Sequence, residues 1–154
     1  MRFLIVTLFL FFLNNCGFTP LYNSSKKLEN IQVNIKDLKG NEKINSLIIQ
    51  ELNKYRNNDG NKKIIDVNID TQYFKESISK NLSGKTSKYR ITIVSNFEVY
   101  SENNRKNYSF DQNSKIEAKD DAFEQNRLEE ITIKNLSKII VEKLLSEIYL
   151  IEWS

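Results

Sequence analysis

Residues 88–100 read KYRITIVSNFEVY, and this stretch decides the fold because apolar and polar side chains alternate along most of it. Successive side chains of a β-strand point to opposite faces of the sheet, so a period of two predicts a strand with one buried and one solvated face. The predicted buried set is Tyr89, Ile91, Ile93, Phe97 and Val99, and the predicted solvated set is Arg90, Thr92, Asn96 and Glu98.

The segments on either side of this strand repeat its pattern. Residues 64–74 predict an earlier strand, and residues 79–87, around Gly84, predict the loop between the two. Residues 101–106 predict a hairpin turn, in which Asn103 and Asn104 can take left-handed backbone angles, followed by a partner strand. The predicted inward positions are Ile65, Val67, Ile69, Thr71 and Tyr73 before the loop, and Tyr108, Phe110, Gln112, Ser114 and Ile116 after the turn.

A strand and a helix precede these segments. Residues 30–36, NIQVNIK, alternate in the same way and predict a strand with Ile31, Val33 and Ile35 inward. Asn41 follows Gly40 and is a suitable helix cap, so a helix is predicted from there to about Arg56. Its apolar stripe is Ile44, Leu47, Ile48, Leu52 and Tyr55.

A helix of about 30 residues, about 45 Å long, is predicted to close the chain, with Asp120 or Asp121 as its cap. One stripe holds Ala122, Ile133, Leu136, Ile140, Leu144, Ile148 and Ile151; a second holds Leu128, Ile131 and Ile139. The favoured interpretation is that the second stripe packs against the first helix, and the alternatives are a sheet that wraps the helix or another surface.

The predicted order is therefore β-α-β-β-β-α. Each strand has one apolar face, so both helices should cover that face and leave the other in water. This is an α+β fold, a two-layer α/β sandwich with two helices on one face of a four-stranded sheet. The pattern leaves the strand order open.

Composition excludes several kinds of chemistry. The chain has 154 residues, no histidine and one cysteine. Histidine-based catalysis, an imidazole metal site, a thiolate zinc cluster and an intramolecular disulfide are therefore excluded. Four isolated glycines make no phosphate loop, and a formal net charge of +3 is too small to indicate nucleic acid. No enzyme activity, cofactor, metal or nucleic-acid partner is predicted.

The amino terminus explains the single cysteine. Arg2 precedes an apolar run over residues 3–13, which is shorter than the roughly 20 residues that span a bilayer and is typical of a signal peptide. Cys16 directly after it resembles the lipidation site of bacterial lipoproteins, where several acyl chains anchor a protein durably. The predicted division is residues 1–15 as signal peptide, 16–27 as lipidated N-terminus and tether, and 28–154 as the domain. A signal followed by an incidental free cysteine is the alternative.

Basic residues form two groups. Lys85, Lys88 and Arg90 lie in and after the predicted loop, and Arg105 and Lys106 lie in the hairpin turn. Cations beside aromatic rings such as Tyr100 and Tyr108 can hold a phosphate-bearing amphiphile. These basic residues are the candidate lipid-binding residues, and an ordinary solvated surface is the alternative.

CGFTPLY at residues 16–22 and AKDDAFEQNRLEEITIKNLSKIIVEKL at residues 118–144, with the predicted element order, resemble the LPS-assembly lipoprotein LptE family of alphaproteobacterial type. The resemblance implies a lipid-anchored, periplasm-facing protein of the outer membrane. Such a protein plugs and helps to assemble the LptD-like β-barrel translocon and binds lipopolysaccharide. An auxiliary lipoprotein of a phospholipid or ABC-type transport system is the alternative, and a secreted enzyme is the weakest.

Overall fold

The computed structural model describes residues 31–54, 63–101 and 104–151. The predicted order of elements is confirmed. The elements are β1 (Ile31–Gly40), α1 (Glu42–Asn53), β2 (Lys63–Lys80), β3 (Thr86–Ser101), β4 (Asn104–Glu117) and α2 (Ala122–Ile151).

The strands form one sheet in the order β1-β2-β3-β4. β1 runs parallel to β2, because α1 carries the chain back across the sheet between them. β2, β3 and β4 are an antiparallel meander. This settles the strand order that the sequence pattern leaves open.

One face of the sheet carries the core. The alternation predicted in β3 is confirmed: Ile91, Ile93, Phe97 and Val99 are buried, and their polar neighbours lie on the other side, which we call the open face. Tyr73, Tyr89, Tyr108 and Phe110 are half-buried against the core. The helices contribute Ile44, Ile48 and Leu52 from α1, and Ile133, Leu136, Ile140, Val141, Leu144, Leu145 and Ile148 from α2.

β1 is much shorter than β2. It ends at Gly40, which pairs with Thr71 and has a φ of 86°, and Asn41 then caps α1 by accepting a hydrogen bond from the Ile44 amide at 3.0 Å. Residues 72–80 of β2 continue beyond it. The cap at Asn41 is therefore confirmed, whereas Arg56 and Tyr55 lie outside the described residues.

The loop between β2 and β3 is shorter than predicted. The strands reach Lys80 and begin again at Thr86, so the loop is residues 81–85 and not 79–87. Pairs of hydroxyl groups link the two strands in this part of the hairpin. The hydroxyl oxygens of Ser77 and Thr86 lie 2.9 Å apart, and the Ser87 hydroxyl donates to the Ser79 hydroxyl at 2.9 Å.

The hairpin between β3 and β4 also differs from the prediction. Asn104 is the first residue of β4 and pairs with Ser101, and positive φ angles occur among the described residues only at Gly40 and Gly84. Asn104 therefore does not take the left-handed angles that an asparagine can accept in a turn. Asn103 lies outside the described residues.

The last helix begins after Asp121, whose carboxylate accepts from the Glu124 amide at 2.8 Å, so Asp121 is the cap. The main stripe is confirmed at Ile133, Leu136, Ile140, Leu144 and Ile148, but Ala122 is exposed. The side chain of Ile151 lies outside the described set. Within the described part of the chain, neither helix is both long enough and apolar enough to cross a membrane.

The prediction that the second stripe of α2 packs against α1 is largely wrong. Leu128 is half-buried against the core, but Ile131 is 47% exposed and Ile139 is 38% exposed. The 12 residues of α1 cannot cover the 30 residues of α2.

Candidate functional site

The predicted lipidation site lies outside the described residues. Cys16, the signal peptide at 1–15 and the tether at 16–27 therefore stay predictions. The described chain enters the sheet at Ile31, next to Lys63 at the start of β2. Any anchor that precedes Ile31 joins the domain at this end, which we call the tether end.

The two groups of basic residues lie at opposite ends of the sheet. Lys85 is in the 81–85 loop and Lys88 is near the start of β3, whereas Lys106 pairs with Val99 at the far end of that strand. Lys88 and Val99 are 11 positions apart, about 36 Å at about 3.3 Å per residue. One small ligand cannot contact both groups.

Four of these basic residues have a carboxylate partner on a different strand or connecting segment. Lys85 pairs with Asp120, Lys88 with Glu117 at 3.3 Å, Arg90 with Glu76 at 3.8 Å, and Arg105 with Glu98 at 2.9 Å. All of these pairs are at the surface, so each contributes little to stability. An anionic ligand that approaches these cations competes with the protein's own carboxylates.

At the tether end, Arg105 belongs to a network on the open face. Glu98 accepts hydrogen bonds from Tyr100 at 2.7 Å, from Asn68 at 3.1 Å and from Arg105. These bonds, that from Tyr100 foremost, lower the pKa of Glu98 to about 2. The Arg105 guanidinium also lies over the Tyr100 ring, 5.3 Å from its centroid. Arg105 is therefore engaged within the sheet.

The aromatic neighbours divide between the two faces. Tyr100 is beside Arg105, as the sequence suggests. Tyr108 lies on the helix side, where its ring is 6.2 Å from that of Phe110, and burial raises its pKa. Lys106 follows Arg105 directly in β4, and adjacent side chains of a strand point to opposite faces. Lys106 therefore lies on the same side of the sheet as Tyr108, whereas Arg105 lies with Tyr100 on the open face.

The other end carries two exposed apolar side chains and several lysines. We call this end the tip and define it as residues 80–88 with residues 119–123. Leu82 is fully exposed in the loop, and Phe123 is 75% exposed in the first turn of α2. The cations of the tip are Lys80, Lys85, Lys88 and Lys119. Exposed apolar side chains at the same end of the domain as several lysines are suited to an anionic amphiphile.

The loop at the tip is held in one shape by Asn81. Its side-chain oxygen accepts from the Ser83 amide at 3.1 Å, the Ser83 hydroxyl at 2.7 Å and the Lys85 amide at 2.9 Å. Its backbone amide donates to the Lys85 carbonyl at 2.8 Å. Leu82 is therefore presented outward by a pre-organised turn.

Lys85 connects this loop to the start of α2. Its ammonium donates to Asp120, and that hydrogen bond raises the pKa of Lys85 and lowers the pKa of Asp120. Asp120 is 91% exposed and Lys85 is 65% exposed, so both reach solvent. The contact joins the two elements that carry Leu82 and Phe123.

Sequence reasoning missed both apolar residues of the tip. Leu82 stands alone among polar residues in a predicted loop, and Phe123 lies off the main stripe of the last helix. A large apolar side chain in a turn with no buried face to join was the available signal.

A second cluster fixes α2 over the extended part of the β2–β3 hairpin. Tyr73 and Lys75 of β2 both donate to Glu129 of α2, and the Lys75 ammonium lies 4.7 Å from the Tyr89 ring centroid. Burial, with the Glu129 bond, raises the pKa of Tyr73. Burial opposes ionisation of Glu129, but the bonds from Lys75 and Tyr73 outweigh it and lower its pKa. Each of these groups has a partner, so the cluster is structural.

The open face is polar with charges of both signs. Asp66 pairs with Lys36 at 3.4 Å and accepts from Asn34 at 2.8 Å, and Ser109 donates to Asn96 at 2.8 Å. Ile64, 57% exposed, and Phe74, 45% exposed, are apolar exceptions. Such a face fits a polar protein surface or a hydrated lumen better than a lipid tail.

These features define a class of protein: an α+β sandwich with a polar sheet face that neither described helix covers, and with an amphiphilic tip. Comparison with solved structures shows the same fold. Rare lipoprotein B from Shewanella oneidensis matches with a TM-score of 0.60 at 10% identity, over 79% of this chain and 96% of that one.

Two further bacterial proteins share the fold. Lipoprotein B from Nitrosomonas europaea matches with a TM-score of 0.53 at 13% identity, over 82% of this chain and 89% of that one. A minor lipoprotein from Acinetobacter baumannii matches with a TM-score of 0.51 at 7% identity, over 81% and 96%. No family model and no curated protein matches the sequence.

Proposed function

We propose that this chain is an outer-membrane lipoprotein that plugs and helps to assemble the β-barrel translocon of lipopolysaccharide, and assists insertion of that lipid into the outer leaflet. The proposal is supported by the bacterial lipoproteins that share the fold and by the Cys16 motif. The protein acts by contact, with no catalytic step.

The separation of the tether end from the tip carries this proposal. β2 has 18 residues and joins the two ends, so it spans about 60 Å at about 3.3 Å per residue. A bilayer with its headgroups is about 40–45 Å thick. A domain anchored at the tether end is therefore long enough to reach the opposite leaflet.

Each surface then has a role. Acyl chains on Cys16 hold the tether end in the periplasmic leaflet. The open face, polar and of mixed charge, lies against the polar lumen of the barrel. Lys85, Lys88 and Arg90 meet lipid phosphates near the tip while Leu82 and Phe123 meet acyl chains. Arg105 and Lys106 lie at the tether end, where any lipid contact is a separate one.

Purification of the full chain from detergent-solubilised membranes tests the proposal. A large outer-membrane β-barrel protein should co-purify, and Cys16→Ala should leave the outer-membrane fraction. Co-purification with an inner-membrane ATPase complex alone would instead support the lipid-transport alternative. Full membrane retention of Cys16→Ala would refute the lipid anchor.

A further inference from the structure

We propose that Asp120 sets the affinity of the tip for phosphate-bearing lipid, because its carboxylate holds the Lys85 ammonium until a lipid phosphate displaces it. This inference rests on the proposed function, since it takes the tip to be the lipid contact. It makes the Asp120 carboxylate a competitor of the lipid phosphate for the Lys85 ammonium.

The geometry leaves the Lys85 side chain free to change partner. Asn81 fixes the Lys85 backbone through both its amide and its carbonyl. The ammonium beyond it is tied to Asp120 at the surface, where a ligand can approach. Exchange therefore requires a rotation of the side chain and no movement of the loop.

Asp120 is not needed to start the helix. Asp121 caps α2 by accepting from the Glu124 amide, and the Ala118 amide closes the end of the sheet by donating to the Ser87 carbonyl at 2.9 Å. The Asp120 side chain can thus be changed without removing either contact.

The chemistry favours exchange over permanent pairing. An ammonium group donates to carboxylate and phosphate alike, and a phosphate offers more charge and more acceptor oxygens. An exposed pair is held weakly, so a phosphate that arrives with a bound acyl chain can displace the carboxylate. The Lys88–Glu117 and Arg90–Glu76 pairs repeat this arrangement with longer distances.

The test measures binding of fluorescently labelled lipopolysaccharide to the purified full chain by anisotropy, at low salt. Asp120→Asn should tighten binding by about two- to fivefold, the range expected for release of an exposed ion pair. Glu124→Gln is the matched control, because it removes one negative charge from the first turn of the same helix and leaves the Lys85–Asp120 pair intact.

A double-mutant cycle isolates the contact. In a Lys85→Gln background, Asp120→Asn should give no more gain than Glu124→Gln, since the competing pair no longer exists. Lipopolysaccharide stripped of its phosphates should show no gain with Asp120→Asn, and inorganic phosphate alone should not compete at equal concentration. Competition by inorganic phosphate at equal concentration would contradict the lipid as the source of the recognised phosphate.

The outcomes distinguish failure of the proposed lipid contact from failure of the inference about Asp120. If the unmodified chain does not bind lipopolysaccharide, the proposed lipid contact fails and this inference fails with it. If Lys85→Gln weakens binding but Asp120→Asn leaves it unchanged or matches Glu124→Gln, the inference alone is overturned.

Discussion

Gly40 is the residue at which the edge strand stops and the first helix starts. A Cβ atom placed on it would lie 1.9 Å from the Thr71 carbonyl oxygen, and its φ of 86° is unfavourable for any other residue. Thr71 is also held in place by its own hydroxyl, which donates to the Asn45 side chain at 2.7 Å. Neither the Gly40 backbone nor the Thr71 carbonyl can therefore shift to relieve such a clash without a cost in free energy.

Gly40→Ala should therefore destabilise the domain by at least about 2 kcal/mol, since backbone strain and a steric clash add. Gly84→Ala is the matched control: φ is 80° there, but a Cβ would meet nothing within 4 Å. It should cost about 1–2 kcal/mol from the backbone alone. Urea unfolding of both variants measures the difference, and equal losses would show that the Thr71 contact carries no energy.

At the scale of elements, the hydrophobic period predicted well which face of each strand is buried, but it predicted poorly where the strands begin and end. The faces of β3 follow from Ile91, Ile93 and Phe97 alone. The hairpin extension was missed because Ser77, Ser79 and Thr86 pair through hydroxyl groups, and a polar strand leaves no hydrophobic period. Val141 and Leu145 were missed, and Ile131 and Ile139 misplaced, because the pattern does not show how far α1 reaches along α2.

The sequence predicted the candidate site only in part as well. Lys85, Lys88 and Arg90 could be chosen from their proximity in sequence. Their carboxylate partners could not, because Asp120 is 35 residues from Lys85 and meets it only through the sheet. Pairing between distant positions is set by topology, which the sequence pattern left open.

Two adjacent residues of α2 test the assigned faces. Ile140 is fully buried and Ile139 is 38% exposed. Ile140→Asp should abolish cooperative folding or cost more than about 4 kcal/mol, because it buries an unpaired charge. Ile139→Asp should cost under about 1 kcal/mol. Thermal melts followed by circular dichroism compare them, and similar losses at both positions would mean that the helix is rotated.

At the scale of the whole molecule, Glu98 joins three strands of the sheet. It lies on β3 and accepts from Asn68 of β2 and Arg105 of β4, while Tyr100 donates from its own strand. All of these donors favour the ionised carboxylate, so folding lowers the pKa of Glu98 from 4.5 to about 2. A group whose pKa falls on folding stabilises the folded state above its unfolded pKa.

Stability should therefore fall as the pH drops from about 4.5 to about 2, the interval in which the folded protein binds fewer protons than the unfolded chain. Glu98→Gln should be less stable than the unmodified protein at neutral pH, and the gap should close across that interval. Urea unfolding at a series of pH values measures the gap. A gap independent of pH would show that the charge of Glu98 is not what the network stabilises.

The parallel register of β1 beside β2 also has a mechanical consequence. Tension that is transmitted through the chain before Ile31 and resisted at the tip acts along the strand axis. It therefore loads the hydrogen bonds of all the β1–β2 residue pairs, from Ile31↔Lys63 to Gly40↔Thr71, in shear at the same time, and does not break them one after another. The domain should therefore resist a pull on the chain that precedes Ile31 far better than an antiparallel edge strand would when opened from one end.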